Sequence, residues 1–249
     1  MSDRAKEWLP IVRAQRPFDR ISSPWKSMGH EINLYDQYPK SKRPIDDRAR
    51  LITEAHRATA RQFDKEYFDG DRLSGYGGYN YHPRFWTDTV KRFRDHYKLA
   101  EDAWVLDVGC AKGFMMYDFK LLMPKLNIRG VDISQYAYDH AIEQMKPFIT
   151  VANATSLPFG DKSFDLVISI NTIHNLPLAE CKQALREIQR VSRKDSFIIN
   201  DAWRNETEHQ RMLDWNLTAL TYMHVDDWKK LFAEVGYSGD YWWFIAEST

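Results

Sequence analysis

Two acidic residues, each within or at the end of a hydrophobic run, flank a turn built from small residues. Asp107 lies in the run "WVLDV", and the turn of residues 109–113, "GCAKG", follows directly. Asp132 ends the next such run, 19 residues after the turn. Small residues let the backbone pass close to a ligand, and a carboxylate at this spacing reaches ribose hydroxyls. The pattern predicts a nucleoside site; the alternative is that Asp132 only caps the helix beginning at Ser134.

Two kinds of ligand fit such a turn. A dinucleotide places its pyrophosphate on the turn and needs G-x-G-x-x-G, whereas residues 109–113 read G-x-A-x-G and lack the third glycine. S-adenosylmethionine carries no phosphate and instead needs room for its amino-acid part, with acceptors for its ammonium and ribose groups. Asp107, just before the turn, can supply one acceptor. The turn alone does not decide between the two ligands.

The elements around these residues alternate between short β-rich runs and helical stretches from residue 100 onward. The predicted strands are "WVLDV", "IRGVDI", "FITVAN", "FDLVISI", "SFIIND" and "YWWFIAE". Predicted helices begin near Gly113, Ser134 and Leu178, and the last one ends at Gly236. Upstream, we predict one helix from Asp46 to near Gly70 and another after Pro83. Such a βαβ series predicts an α/β fold with a mostly parallel sheet covered by helices on both faces.

The composition limits the possible partners and compartments. The chain has 249 residues with 35 basic and 35 acidic side chains, and a net charge of zero gives no global attraction to nucleic acid. No apolar run approaches the roughly 20 residues that cross a bilayer, so we predict no membrane partner. The N-terminus lacks a secretory pattern and only two cysteines occur, which predicts a cytoplasmic protein with reduced thiols. We expect a monomer or homodimer and no metal site.

Four segments, in order, resemble the class I S-adenosylmethionine-dependent methyltransferases, particularly their small-molecule branch. They are "VLDVGCAKG", "GVDIS", "ANATSLPFGDKSFDLVISINTIHNL" and "ALREIQRVSRKDSFIIND". The resemblance covers roughly residues 100–247. It implies a doubly wound, mostly parallel, seven-stranded Rossmann-like sheet, S-adenosylmethionine as cofactor, and methyl transfer to a small-molecule substrate at nitrogen, oxygen or carbon. The predicted domains are 1–82, an N-terminal arm, helix and Tyr/Gly-rich lid, and 83–249, the S-adenosylmethionine-binding methyltransferase domain.

The resemblance also implies a set of cofactor-binding positions along the strand ends. They are Asp107, Gly109, Ala111, Gly113, Asp132, Ile133, Asn153, Ala154 and Asn171. Asp107, Gly109 and Gly113 would surround the methionine part, Asp132 the ribose and Ile133 the adenine ring. The sequence departs from the family pattern twice, since Ala111 replaces a glycine and Asn153 replaces an acid. An Asn carbonyl can still accept a hydrogen bond from the adenine amino group.

Residues that could act on the acceptor lie outside the turn. His174 follows the fourth predicted strand and is a candidate general base; the alternative is that it shapes its loop by packing. The Tyr/Gly segment, residues 70–82, supplies Tyr76 and Tyr79 as candidate catalytic residues. The candidate substrate-binding residues are Tyr81, Trp203 and Arg204. Lys112, within the turn, is predicted to point into solvent.

Other functions keep the same fold. An enzyme of this fold can use S-adenosylmethionine itself as substrate, by internal cyclisation or cleavage. Methylation of RNA or protein would draw on the basic N-terminal arm, and a binding module would retain the fold without chemistry. The segment "NTIHNL" lacks the (Asp/Asn)-Pro-Pro-aromatic signature of family members that methylate nucleobase and amide nitrogens, which argues against an exocyclic base amine.

Overall fold

The computed structural model describes residues 29–39 and 45–247. The predicted N-terminal arm lies largely outside these residues. The described part of the arm runs beside the last strand of the sheet, where Glu31 bridges Tyr241 in parallel.

Nine α-helices and seven β-strands form within the described residues. The helices are α1 (Ile45–Leu51), α2 (Glu54–Ala60), α3 (Lys65–Phe68), α4 (Pro83–Tyr97), α5 (Phe114–Leu122), α6 (Gln135–Asp139), α7 (Leu178–Val191), α8 (Glu206–Trp215) and α9 (Val225–Val235). The strands are β1 (Trp104–Val108), β2 (Asn127–Asp132), β3 (Ile149–Val151), β4 (Phe164–Ile170), β5 (Ser192–Trp203), β6 (Met223–His224) and β7 (Asp240–Phe244). Their alternation confirms the predicted α/β series.

The strands form one sheet in the order β3-β2-β1-β4-β5-β6, with β7 also paired to β5. Every strand pair is parallel, which confirms the predicted doubly wound, seven-stranded sheet. The chain order reverses between β1 and β4. Because ligands of open parallel sheets bind beyond the carboxyl ends of the strands at such a reversal, the sheet places the ends of β1 and β4 at the expected site.

Apolar side chains on both faces hold the sheet between its helices. The first six residues of β4 are all buried, as expected for a central parallel strand covered on two sides. One core cluster packs α7 and α9 against one face, and another packs α4 and α5 against the opposite face. Within the described residues, no helix combines the length and apolar character needed to cross a membrane.

The single helix predicted from Asp46 to Gly70 is wrong, because the chain breaks it into α1, α2 and α3. Thr53 adopts an extended conformation and its side chain accepts the amide of His56, which starts α2. Phe63 has a positive φ of 50°, and Asp64 then caps α3. Apolar spacing alone did not reveal these local side-chain caps, which compete with a continuous helix.

Candidate functional site

A cavity of about 1560 Å³ lies over the carboxyl ends of the strands at the reversal between β1 and β4. It brings together residues from β1, β2, β4, β5, β7 and the N-terminal segments. Most of the predicted site residues line it: Tyr76, Tyr79, Tyr81, Asp107, Gly109, Ala111, Asp132, Ile133, Asn153, Ala154, Asn171, His174 and Arg204. Gly113 and Trp203 are not among the lining residues. Gly113 instead lies at the start of α5, where it is the N-cap.

The turn after β1 depends on a close approach at Gly109. This residue has a φ of +86°, and a Cβ atom placed on it would overlap the side chain of Thr172. Its amide donates to the Val131 carbonyl at 2.7 Å. The turn therefore packs tightly against β2 and against the loop after β4.

Ala111 adopts a left-handed conformation with a φ of 48°, which explains why a glycine would suit this position. A non-glycine residue pays about 1–2 kcal/mol for such a conformation. The Ala111 amide donates to Asp132 Oδ2 at 2.8 Å, and this bond helps hold the turn in place.

Asp132, at the end of β2, is 9% exposed and binds the backbone with both oxygens. Besides the bond from Ala111, Oδ1 accepts the Ser134 amide at 2.9 Å. Burial raises the pKa of Asp132, and these amide donors partly oppose the rise. A carboxylate has about four acceptor positions, so Asp132 keeps capacity for a further donor such as a ribose hydroxyl.

Asp107 carries a buried carboxyl group beside this turn. It is 4% exposed, and burial, together with the nearby charge of Asp132, raises its pKa to about 8. Within the described part of the chain, no cationic side chain lies within 4 Å of its oxygens, since no ion pair includes it. A ligand ammonium beside Asp107 would relieve the cost of burying its negative charge.

The cavity has an apolar surface next to Asp132. Ile133 is 54% exposed, which leaves its side chain open to contact a flat ring. Asn153 is exposed, and its Oδ1 accepts the Thr155 amide at 2.9 Å. That bond orders the loop after β3 while the Asn153 side-chain amide group remains available to a ligand.

Asn171, directly after β4, approaches the same cavity from the other side of β1. It adopts a left-handed conformation with a φ of 51°, and its amide donates to the Ile199 carbonyl at 2.9 Å. Its side-chain Oδ1 is buried without a hydrogen-bond partner among the described residues. A buried acceptor left without a donor is costly, so this oxygen is suited to a ligand donor.

Lys112 is buried, so the prediction that it points into solvent is wrong. It is 4% exposed, and its Nζ contacts both oxygens of Asp69, at 2.6 and 2.7 Å, and the Tyr79 carbonyl at 3.1 Å. Tyr136, on α6, donates its hydroxyl to Asp69 Oδ2 at 3.0 Å. This network, called the Lys112 clasp below, fastens the Tyr/Gly segment to the turn.

Replacing Lys112 by methionine is expected to loosen the Tyr/Gly segment. A hydrogen bond to a charged group contributes about 1.5–3 kcal/mol, and Asp69 is only partly shielded from solvent. We expect amide hydrogen exchange in residues 69–79 to become about 10-fold faster. Lys125→Met is the matched control, because the pair of Lys125 with Glu101 is exposed on both sides and such pairs contribute about 0–1 kcal/mol. Equal exchange in the two variants would contradict a fastening role for the clasp.

The three tyrosines of the Tyr/Gly segment line the cavity, and their hydroxyls bind the protein. Tyr76 donates to the Gly78 carbonyl at 2.8 Å, and Tyr79 donates to the Gly70 carbonyl at 3.1 Å. Tyr81 donates to Asp118 at 3.2 Å. Burial, reinforced by Asp118, raises the pKa of Tyr81 to about 12. These bonds favour a structural use of the hydroxyls, while the ring faces remain able to contact a ligand.

His174 is buried, and its ring is already engaged with β5. Its Nδ1 accepts the Asp201 amide at 3.0 Å, which assigns the proton of the neutral ring to Nε2. Burial lowers the pKa of His174 to about 3. Its carbonyl also accepts the amides of Leu220 and Thr221. This geometry favours the packing alternative, and we do not assign His174 as a base.

Of the two predicted substrate residues at the end of β5, Arg204 lines the cavity and Trp203 does not. The Trp203 ring stacks on His209 at 4.1 Å and makes an edge contact with Tyr222. The ring therefore packs against protein side chains rather than facing a ligand. Arg204 lines the cavity, but it is exposed and its guanidinium lies 3.5 Å from Glu31. We therefore assign neither residue to the acceptor.

Several residues that line this cavity were not predicted from the sequence. Asp201 lines it from β5, and Tyr35, Tyr38, Trp86, Trp242 and Phe244 form aromatic walls. Asp201 carried the same signal as Asp107 and Asp132, because it too lies near the end of a predicted strand. The aromatic residues come from distant parts of the chain, and no local pattern joined them.

A methyltransferase domain family matches residues 106–200, which include the turn, Asp132 and Asn171. A protein of Encephalitozoon cuniculi (strain GB-M1), described as a candidate methyltransferase, is 30% identical over 57% of this chain and 71% of its own length. The chain belongs to the class I S-adenosylmethionine-dependent methyltransferases. The cavity lies where the sheet of this chain reverses its strand order, and the matched region includes the turn itself.

Other similar proteins are matched over shorter parts of their length. The malonyl-[acyl-carrier protein] O-methyltransferase of Legionella pneumophila is 28% identical over 49% of this chain and 44% of its own length. The YcgJ protein of Bacillus subtilis, a solved structure, is 20% identical over 59% of this chain and 66% of its own, with a TM-score of 0.48. The chain spans 38–59% of the length of the first three curated relatives.

Proposed function

We propose that this chain binds S-adenosylmethionine over the turn of residues 109–113 and transfers its methyl group to a small-molecule acceptor. The observation that carries the proposal is the arrangement around Asp132. A buried carboxylate with an open acceptor position lies next to the exposed face of Ile133. These two features suit a ribose and an adenine ring attached to each other.

The acceptor groups of the cavity fit the rest of the same ligand. Asp107 offers a buried carboxyl to an ammonium group, and Asn171 offers an unpartnered buried oxygen to a second donor. Asn153 and the Ala154 amide lie on the adenine side. The fit favours a nucleoside with a charged amino-acid part over a dinucleotide, because the turn lacks the third glycine of a pyrophosphate site.

When bound, S-adenosylmethionine supplies a methyl carbon that its sulfonium has already activated. The protein then has to orient the acceptor and keep water away. The Lys112 clasp holds the Tyr/Gly segment beside the turn, so this segment is in place to cover the cofactor. The ring faces of its tyrosines would stabilise a cationic ligand by about 0.5–2 kcal/mol.

The names of two relatives support methyl transfer to a small or carrier-bound acceptor. One is the malonyl-[acyl-carrier protein] O-methyltransferase already described, and the other is a demethylmenaquinone methyltransferase of Lactobacillus johnsonii, 27% identical over 57% of this chain. The acceptors in these two names differ from each other. The relatives therefore support the reaction class, and the acceptor of this chain has to be inferred from its own cavity.

Product analysis tests this function. The purified chain is incubated with S-adenosylmethionine alone and with a mixture of small amines, phenols and carboxylic acids, and the nucleoside products are identified by mass spectrometry. We expect S-adenosylhomocysteine to accumulate only in the presence of the mixture. Turnover of the cofactor alone, with methylthioadenosine or a cyclic product, would instead identify S-adenosylmethionine as the sole substrate.

A further inference from the structure

Asp201, like Asp107 and Asp132, is a buried carboxylate of the cavity without a Lys or Arg partner among the described residues. It lies near the carboxyl end of β5, is 7% exposed and lines the cavity. Within the described residues, no hydrogen bond reaches its carboxylate oxygens; the nearest basic nitrogen is Nδ1 of His174 at 3.7 Å. That nitrogen is the one that accepts the Asp201 amide, so it carries no proton to share.

The position of Asp201 separates it from Asp107, one of the proposed cofactor contacts. Asp107 is in register with Ile168 on β4, which is in register with Phe197 on β5. Asp201 lies four residues further along the same face of β5. With strands about 4.8 Å apart and about 3.3 Å per residue, it lies about 10 Å across the sheet from Asp107 and about 13 Å beyond it. This places Asp201 past the methionine end of the cofactor site.

Aromatic rings line the cavity, and some of them lie beside Asp201. Phe244, on β7, is the register partner of Asp201, and its ring lies 5.7 Å from that of Trp215. The same cavity is lined by Tyr35, Tyr38 and Trp86; Tyr35 stacks on Tyr38 at 4.2 Å, and Tyr38 meets the edge of Trp86 at 5.1 Å. Aromatic faces attract cations, and an unpaired buried carboxylate disfavours a second negative charge.

We propose that this aromatic end of the cavity is the acceptor site and that it takes an amine, with Asp201 as the group that binds the ammonium and accepts its proton. The proposal rests on the proposed methyl-transfer function and specifies its substrate class. An acceptor that presents a carboxylate to Asp201 is excluded by like charge. An acceptor amine with an aromatic or apolar body would fill the ring-lined space and place its nitrogen at the carboxylate.

The proton step needs no further reactant. The N–H bond of the ammonium breaks, its electron pair stays on nitrogen, and the proton bonds to a carboxylate oxygen of Asp201, which leaves a neutral amine and a neutral acid. Burial raises the pKa of Asp201 to about 7, which suits a group that exchanges a proton near neutral pH.

Other titratable and charged groups line the cavity from each neighbouring element. They include His174 after β4, Asp107 on β1, Tyr35, Asp36 and Tyr38 in the N-terminal segment, Arg84 at the start of α4, Arg204 after β5 and Glu247 after β7. The Arg204 guanidinium lies 3.5 Å from a Glu31 carboxylate oxygen, and the Arg84 guanidinium lies over the ring of Phe85. Burial is the sole cause of the raised Asp201 pKa, so none of these groups compensates its charge.

The test measures binding of three matched probes to the protein saturated with S-adenosylhomocysteine. The probes are phenethylamine, 2-phenylethanol and 3-phenylpropionate, and calorimetry gives each dissociation constant. We expect phenethylamine to bind at least about 10-fold more tightly than the other two, as expected for a hydrogen bond to a charged group. Asp201→Asn should remove that preference, whereas Asp195→Asn, on the same strand but away from the cavity, should keep it.

The wild-type protein gives a second readout that does not depend on any variant. As pH rises from 6 to 8, Asp201 changes from mostly protonated to mostly ionised while the amine stays protonated. Phenethylamine affinity should therefore rise about 10-fold, and 2-phenylethanol affinity should stay constant. A preference for phenylpropionate, or an amine affinity that neither pH nor Asp201→Asn changes, would overturn the proposal. Failure of S-adenosylhomocysteine itself to bind would instead contradict the proposed function.

Discussion

Replacing Gly109 by alanine is expected to lower the free energy of unfolding by about 3 kcal/mol and to weaken cofactor binding. The left-handed conformation of Gly109 costs an alanine about 1–2 kcal/mol. Its new Cβ would also overlap Thr172, including the Thr172 Cβ. No rotation of a threonine side chain moves its own Cβ, so the backbone itself must shift, and such overpacking costs about 1–3 kcal/mol. Chemical unfolding measures the loss.

Gly236→Ala is the matched control for this prediction. Gly236 also has a positive φ, of +72°, but a Cβ placed there meets no atom within 4 Å. It ends α9, far from the turn in sequence and outside the cavity. We expect it to lose only the conformational cost of about 1–2 kcal/mol and to bind S-adenosylhomocysteine like the wild type. Equal losses in the two variants would show that the contact between the turn and Thr172 contributes nothing.

The strand ends were the part of the site that sequence could predict. Asp107 and Asp132 follow from one rule, that ligands meet the carboxyl ends of parallel strands at the reversal of strand order, whereas Asn171 was implied by the family resemblance. The apolar runs located those ends closely, since β1 and β4 have the predicted bounds. Asp201 satisfies the same rule on β5. The family resemblance implies no role for Asp201.

Burial and long-range contacts were beyond local sequence patterns. The sequence alone predicts a surface position for Lys112, but the fold pairs it with Asp69. The sequence likewise suggests His174 as a base, but the structure shows that it is buried and that its ring accepts the Asp201 amide. The aromatic walls need Tyr38 and Phe244 to meet across one cavity. Each of these facts depends on tertiary packing, which periodicity does not encode.

Asp132→Ala is expected to lower the affinity for S-adenosylhomocysteine by about 10–100-fold, because a hydrogen bond to a charged group contributes about 1.5–3 kcal/mol. The substitution also removes the acceptor for the amides of Ala111 and Ser134. Since Ala111 is held in a left-handed conformation, part of the effect will come through the turn. Loss of stability and loss of affinity therefore have to be separated.

Asp165→Ala provides that separation. Asp165 is also a buried carboxylate that accepts a backbone amide, from Trp104 at 3.0 Å, and it pairs with Arg193. It lies at the other end of the sheet and does not line the cavity. We expect this variant to lose stability and to retain the wild-type affinity for the nucleoside.

Calorimetric titration of S-adenosylhomocysteine and of NAD⁺ into the wild type, Asp132→Ala and Asp165→Ala is the most direct test of a sulfonium-nucleoside site over residues 109–113. The site described above predicts one molecule of S-adenosylhomocysteine per chain, an affinity that falls only in Asp132→Ala, and no heat from NAD⁺. Binding of NAD⁺ in place of S-adenosylhomocysteine, or an Asp132→Ala variant that binds as tightly as the wild type, would contradict it.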